Sequence, residues 1–167
     1  MNKNIYREAM SRLGTAVNII TTAGVAGVAG VTASAVCSVT DDPATLLVCI
    51  NRSSRAHPIF LQNGVFCVNV LCGMHEFLSG IFAGSPPMTM EERFKQIGWQ
   101  PLKTGAPALD EAAVSFDCVI DNVSEVGTHS VLFGRVEALE MGHEREALIY
   151  FGRAYHHLPH PKRVSIA

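Results

Sequence analysis

Gly30-Val31-Thr32-Ala33-Ser34-Ala35-Val36-Cys37-Ser38-Val39-Thr40-Asp41 alternates small hydroxyl-bearing residues with small apolar ones and is rich in β-branched side chains. The pattern predicts a strand whose backbone lies close to a flat ligand, because small side chains leave room and hydroxyls and amides can bond polar ligand edges. A buried barrel strand whose hydroxyls bond neighbouring carbonyls has the same composition. The flanking segments decide between the two.

Upstream, residues 23–39 carry no charge, but they are built of Gly, Ala, Val, Thr and Ser without long aliphatic side chains, which argues against a membrane span. Gly24, Gly27 and Gly30 recur at three-residue intervals, unlike a GxGxxG fingerprint, and no helical pattern follows. This segment is expected to be a hairpin loop between a strand over 16–22 and the opening stretch. Before it, Ile5, Ala9, Met10 and Leu13 fall at helical spacing among Arg7, Glu8 and Arg12, predicting a short amphipathic helix over 4–13 that stops at Gly14. A charged start leading into an apolar signal core is missing, so the expected location is cytoplasmic.

Downstream, Asp41-Asp42-Pro43 marks a turn, and Thr45-Leu46-Leu47-Val48-Cys49-Ile50-Asn51 is an apolar run of strand length, expected to be buried on both faces. Asn51-Arg52-Ser53-Ser54-Arg55 follows, where Ser53 or Ser54 is expected to cap a short helix running to Asn63 and stopped by Gly64. Two serines and two arginines at such a start suit a phosphate. A strand over 66–71, a helix over 76–82, a break at Gly84-Ser85-Pro86-Pro87 and a further helical turn over 90–97 come next. The irregular stretch 84–107 suits a flap over a site. Strand patterns resume at 113–121, 126–129, 131–141 and 147–151. Strands on both sides of a helical middle, without β–α alternation, predict a single mainly β domain over 1–167, an antiparallel barrel with a few peripheral helices.

At 167 residues, with 48% hydrophobic and 17% charged residues, the chain can bury a sizeable core. A net charge of −2, with no basic run beyond Lys162-Arg163, gives no footprint for nucleic acid or an anionic membrane. Five cysteines without CxxC spacing read as reduced and structural. His156 and His160 have an i, i+4 interval, but Pro159 and Pro161 oppose the helix that would align them, so no metal site is expected. No GxSxG elbow or carboxylate pair supports a hydrolase. His129, in Gly127-Thr128-His129 between two strands, is either a capping residue or one aimed at a ligand beside the turn.

Four motifs occur in order: Thr32-Ala33-Ser34-Ala35-Val36-Cys37-Ser38-Val39, Asn51-Arg52-Ser53-Ser54, Gly127-Thr128-His129 and Arg153-Ala154-Tyr155-His156. As a set they resemble the short-chain flavin reductases that serve two-component flavin monooxygenases. Within these the chain is similar to two groups, the reductase of the bacterial pyrimidine-utilisation (Rut) pathway and the reductase component of 4-hydroxyphenylacetate 3-monooxygenase, with a slight lean to the former. The resemblance implies an FMN-binding split β-barrel that forms a homodimer, with FMN or FAD at the subunit interface, NADH as reductant and a separate oxygenase as partner. It also implies that Thr32, Ala33, Ser34, Ala35, Val36, Cys37 and Ser38 line the flavin. Asn51, Ser53 and Ser54, with Arg52 or Arg55, would hold the phosphate. His129 would act at the nicotinamide side, the one catalytic assignment, and Tyr155 and His156 would close the pocket. Two other readings share the barrel: a flavin- or haem-binding protein without turnover, and an oxidase of the pyridoxamine-phosphate type.

Overall fold

The computed structural model describes residues 1–143 and 145–160, so the basic pair Lys162-Arg163 and Pro161 lie outside the described residues. The chain is mainly β. In order it forms α1 (Lys3–Met10), β1 (Thr15–Ala16), β2 (Asn18–Gly24), β3 (Gly27–Ala33), β4 (Val36–Asp41), β5 (Ala44–Asn51), α2 (His57–Asn63) and β6 (Val65–Val70). A 3₁₀ turn (Gly73–His75) leads into α3 (Glu76–Ala83), α4 (Met90–Phe94), β7 (Trp99–Pro101), β8 (Pro107–Leu109), β9 (Val114–Val126), β10 (His129–Met141), β11 (Ala147–Phe151) and β12 (Ala154–Leu158).

Seven strands form one antiparallel sheet in the order β3-β2-β6-β9-β10-β5-β4. Its two edge strands, β3 and β4, are joined by Ser34 and Ala35 alone, so the sheet has to curl until its edges approach each other. The β9–β10 hairpin is the longest part of this wall, and register shifts at Phe133/Gly134 and Val136/Ala138 bend it. A second sheet, β1-β11-β12, and the pair β7–β8 pack outside.

Burial follows the pleat. Ile20 joins Val48, Phe60, Phe66, Val68 and Leu132 in one core. Ile19, its neighbour on the opposite face of β2, joins Leu71, Leu78, Phe82 and Leu148 in another beneath α3 and β11. This two-sided burial is why residues 18–22 read as a continuous run and not as an alternation.

Several local expectations need correction. The glycine-bearing segment is not a loop: only Val25 and Ala26 turn, and Gly27–Ala33 is strand. Gly30 belongs in that strand because Phe82 lies over it, 2.7 Å from where a Cβ would stand. The stretch 30–41 is not one strand either, since it changes sheet edges at Ser34-Ala35. Strand β5 is buried on one face and only half-buried on the other. No serine side chain caps α2, which starts after Ala56. The tail folds as β12 against β11, so His156 and His157 point to opposite faces.

Candidate functional site

The curl leaves a cavity of about 790 Å³ alongside β3. As an edge strand, β3 is bonded on one side by β2, and its other side presents backbone N–H and C=O groups to the opening. Thr32, Ala33, Ser34 and Ala35 line the cavity on this wall; Asn51, Ser54 and Arg55 line it from the turn after β5. Phe82, Met88, Met90 and Arg93 form the wall contributed by α3, α4 and the segment between them. Among the described residues no Asp or Glu lines the cavity.

Pairing of β10 with β5 sets His129 directly across from Asn51. The turn before His129 is two residues, Gly127-Thr128, with Gly127 at φ 56, a left-handed conformation that suits glycine. The Thr128 hydroxyl lies 2.9 Å from His129 Nδ1. His129 is exposed and lines both this cavity and a broader cleft beside it, so it stands at the rim.

The turn after β5 is held by its own side chains. Asn51 Oδ1 accepts from the Ser53 amide and from the Ser53 hydroxyl, each at 2.9 Å. The two arginines part company here. Arg52 pairs with Glu125 at 3.1 Å, and it lines the outer cleft with Ser53. Arg55 lines the cavity, and among the described residues it has no ion-pair partner. The remaining expected residues stand farther off. Val36, Cys37 and Ser38 lie on β4, outside the cavity lining. Tyr155 is on β12, with its hydroxyl 2.6 Å from Ser79 Oγ, and His156 Nε2 lies 3.1 Å from the Phe151 carbonyl. Tyr155 is nevertheless connected to the site, because the Thr32 hydroxyl donates to the Ser79 carbonyl at 2.7 Å.

Cys49 and Arg93 were missed by sequence reasoning. Cys49 faces the cavity from β5, and burial raises its pKa, so the thiol stays protonated. Of the other cysteines, Cys67, Cys72 and Cys118 are buried and Cys37 is exposed, all unpaired. Arg93 sits in the run 90–97, expected only to form a further helical turn, and the fold turns it to the cavity.

The donor set suits a ligand with a flat ring, a polar rim and an anionic tail. Strand-edge amides and the Ser34 hydroxyl lie along one wall, and the guanidinium groups of Arg55 and Arg93 lie on the others. A flavin mononucleotide is such a ligand.

The profile described as "Flavin reductase like domain" matches residues 10–159. A protein named FMN reductase (NADH) RutF, from Pantoea ananatis, is 54% identical over 158 residues, spanning 95% of this chain and 82% of the relative. Among solved structures, a candidate flavin reductase of Haemophilus somnus 129pt is 44% identical with a TM-score of 0.91, over 95% of this chain and 100% of that one. BorF, the flavin reductase component of a bacterial two-component tryptophan halogenase, is 28% identical with a TM-score of 0.88, over 95% of this chain and 99% of its own. The cavity beside an edge strand thus occurs in a chain whose sequence and fold match flavin reductases over nearly its whole length, and the chain belongs to the flavin reductase like domain family.

Proposed function

We propose that the chain is an NAD(P)H:flavin oxidoreductase that reduces FMN, with FAD as the alternative flavin, at the expense of NADH and passes the reduced flavin to a separate oxygenase component. The observation that carries this reading is the cavity of about 790 Å³, lined by a strand edge, Arg55, Arg93 and His129 and, among the described residues, by no carboxylate. The names of the RutF relatives support FMN and NADH and favour the pyrimidine pathway, and BorF supports a separate flavin-consuming partner. The curled sheet is read as an FMN-binding split β-barrel and the working unit as a homodimer with flavin at the subunit interface. The exposed apolar side chains of α1 support the dimer. No helix among the described residues is long and apolar enough to cross a membrane, and five unpaired cysteines agree with a cytoplasmic location.

Bound flavin would supply the redox chemistry, taking a hydride at N5 from the nicotinamide. The chain positions and stabilises. Strand-edge amides along residues 32–35 are suited to meet negative charge developing at the ring's polar edge. Arg55 and Ser54 take the flavin phosphate, because Arg52 is already neutralised by Glu125. His129, at the rim, positions the nicotinamide. Protonated Cys49 offers no thiolate to compete for the ring. Val36, Cys37, Ser38, Ser53, Tyr155 and His156 lie outside the cavity of the single chain, so any part they play is at the subunit interface or in holding the walls.

The test is loss of NADH absorbance with purified protein and FMN, FAD or riboflavin, comparing wild type with His129→Ala. Turnover that rises with added flavin is expected, with a KM for NADH raised about tenfold in the variant. A protein that carries flavin yet oxidises no NADH would instead be a non-catalytic binding protein. Unchanged NADH kinetics in the variant would remove His129 from its role.

A further inference from the structure

Helix α4 is the run Met90-Glu91-Glu92-Arg93-Phe94, and its three charges have different fates. Glu91 pairs with Lys95 at 2.7 Å on the solvent side. Glu92 turns back to the start of the helix, accepting from the Thr89 amide at 2.7 Å and the Thr89 hydroxyl at 3.0 Å. These bonds hold its carboxyl below the usual carboxylate range.

Arg93 is half-buried in the cavity wall. Its Nε donates to the Met88 carbonyl and its Nη1 to the Phe82 carbonyl, both at 3.3 Å. Phe82 belongs to the last turn of α3, whose dipole offsets part of the charge. Among the described residues no carboxylate is within ion-pair distance of Arg93, since both of its acidic neighbours on α4 are engaged elsewhere. Its Nη2 has no bond within the described residues and lies beside Gly84, 3.6 Å from the point a Cβ there would occupy. Gly84 is also part of the cavity wall. A half-buried guanidinium with a free nitrogen and no counter-ion favours an anion, and planar guanidinium groups are well matched to phosphate.

We propose that Arg93 is a phosphate-binding residue of this site, engaging a phosphate of one of the two substrates through Nη2 while its other nitrogens hold the wall in place. The inference rests on the reading of the chain as a flavin reductase. Flavin mononucleotide carries one phosphate and the nicotinamide dinucleotide carries two, whereas Arg55 is a single guanidinium, on the turn after β5. A second cation on the α3–α4 wall meets the charge that Arg55 leaves uncovered. Because the same side chain ties the end of α3 to Met88, an anion bound there also steadies the segment between the helices.

The experiment compares wild type with Arg93→Gln and Arg93→Lys on substrates with and without phosphate. FMN is set against riboflavin at fixed NADH, and NADH against 1-benzyl-1,4-dihydronicotinamide at fixed riboflavin. Loss of a charge-assisted bond predicts a KM raised about 10- to 100-fold for the phosphate-bearing member of one pair, with a much smaller change for its phosphate-free counterpart. Lys should recover part of the loss. Selective loss with FMN assigns the bond to the flavin phosphate, and selective loss with NADH assigns it to the dinucleotide. Equal losses on both members of both pairs would overturn the proposal and leave Arg93 as a structural tie. Titration of FMN and riboflavin onto the same proteins by calorimetry reads the flavin arm without turnover. An inactive wild type that binds FMN would therefore count against the reductase reading alone. Should Arg93→Gln not fold, the FMN-to-riboflavin ratio of Arg93→Lys carries the test.

Discussion

Asn69, near the end of β6, is the side chain on which three separate stretches converge. It is fully buried. Its Nδ2 donates to the Ile19 carbonyl at 3.1 Å, the Thr21 hydroxyl at 3.1 Å and the Pro107 carbonyl at 3.3 Å. Its Oδ1 accepts from the Leu109 amide and the Ser115 hydroxyl, each at 2.8 Å. Burying an amide without partners is costly, but here both ends are satisfied, so the residue fixes β8 against the main sheet. Replacing it with Ala leaves the Leu109 amide and the Ser115 hydroxyl without their acceptor. Asn69→Ala should then lose about 3 kcal/mol, read as a fall of about 1.5 M in the urea midpoint at an m-value near 2 kcal/mol/M. A fall under about 0.3 M would mean that water or a shift of β8 replaces the bonds. In sequence, Asn69 is one polar residue inside Val68-Asn69-Val70, with nothing to mark it as a junction. Site residues were legible unevenly for the same reason. Asn51 and His129 were readable because each borders a turn signal. Their pairing across β5 and β10, and the approach of Arg93, depend on contacts between distant segments.

Strand β12 shows how an element's docking can be titrated. His157 Nε2 lies 2.6 Å from a Glu76 oxygen on α3, and its Nδ1 lies 3.0 Å from a Glu146 oxygen. With Glu76 first and Glu146 second, these carboxylates raise its pKa above the ordinary 6.5. A raised folded-state value means that the folded protein holds the proton more tightly than the unfolded chain. The contribution is fully present below about pH 6.5 and is lost as pH rises through the folded-state pKa. Hydrogen exchange, corrected for its intrinsic pH dependence, should find β12 better protected at about pH 6 than at about pH 8.5, and His157→Gln should flatten the difference. Identical pH profiles in the two proteins would show that the clamp does not hold the strand. The effect would reach the cavity through Tyr155, Ser79 and Thr32, whose bonds link β12 to α3 and α3 to β3. Elements with a strong local signal were readable, among them β5, β6, α3, β10 and the first part of β9, whereas the strand pattern read at 126–129 is the end of β9 and the turn into β10. The break at Ser34-Ala35 was not readable, because a crossing between sheet edges has the same small-residue composition as the strands it joins. The pairing of residues 30–33 with β2 was readable as a hairpin, but the first half of β3 was not, because Gly27 and Gly30 read locally as a loop although Gly30 serves packing under Phe82.

At the scale of the whole molecule, α1 has no internal reason to be amphipathic. None of its residues is buried, and Ile5 is 67% exposed, with Tyr6, Met10 and the following Leu13 also open. An eight-residue helix is marginal by itself in water, so its apolar stripe calls for a surface outside the chain. The proposed homodimer supplies one. The helix borders the broad cleft that also reaches His129, so a second copy seated there would stand next to the candidate site. A specific interface of this kind covers roughly 800 Å² on each partner. Sedimentation should give a species of twice the 18.0 kDa chain mass. Substituting Ile5→Glu and Met10→Glu together would put two charges into the interface while removing nothing buried in the single chain, so the fold should survive and the mass should fall toward that of the monomer. Flavin turnover should fall with it if flavin lies between subunits. A monomer that retains full turnover would show that one chain contains the whole site, and an unchanged dimer would move the interface away from α1.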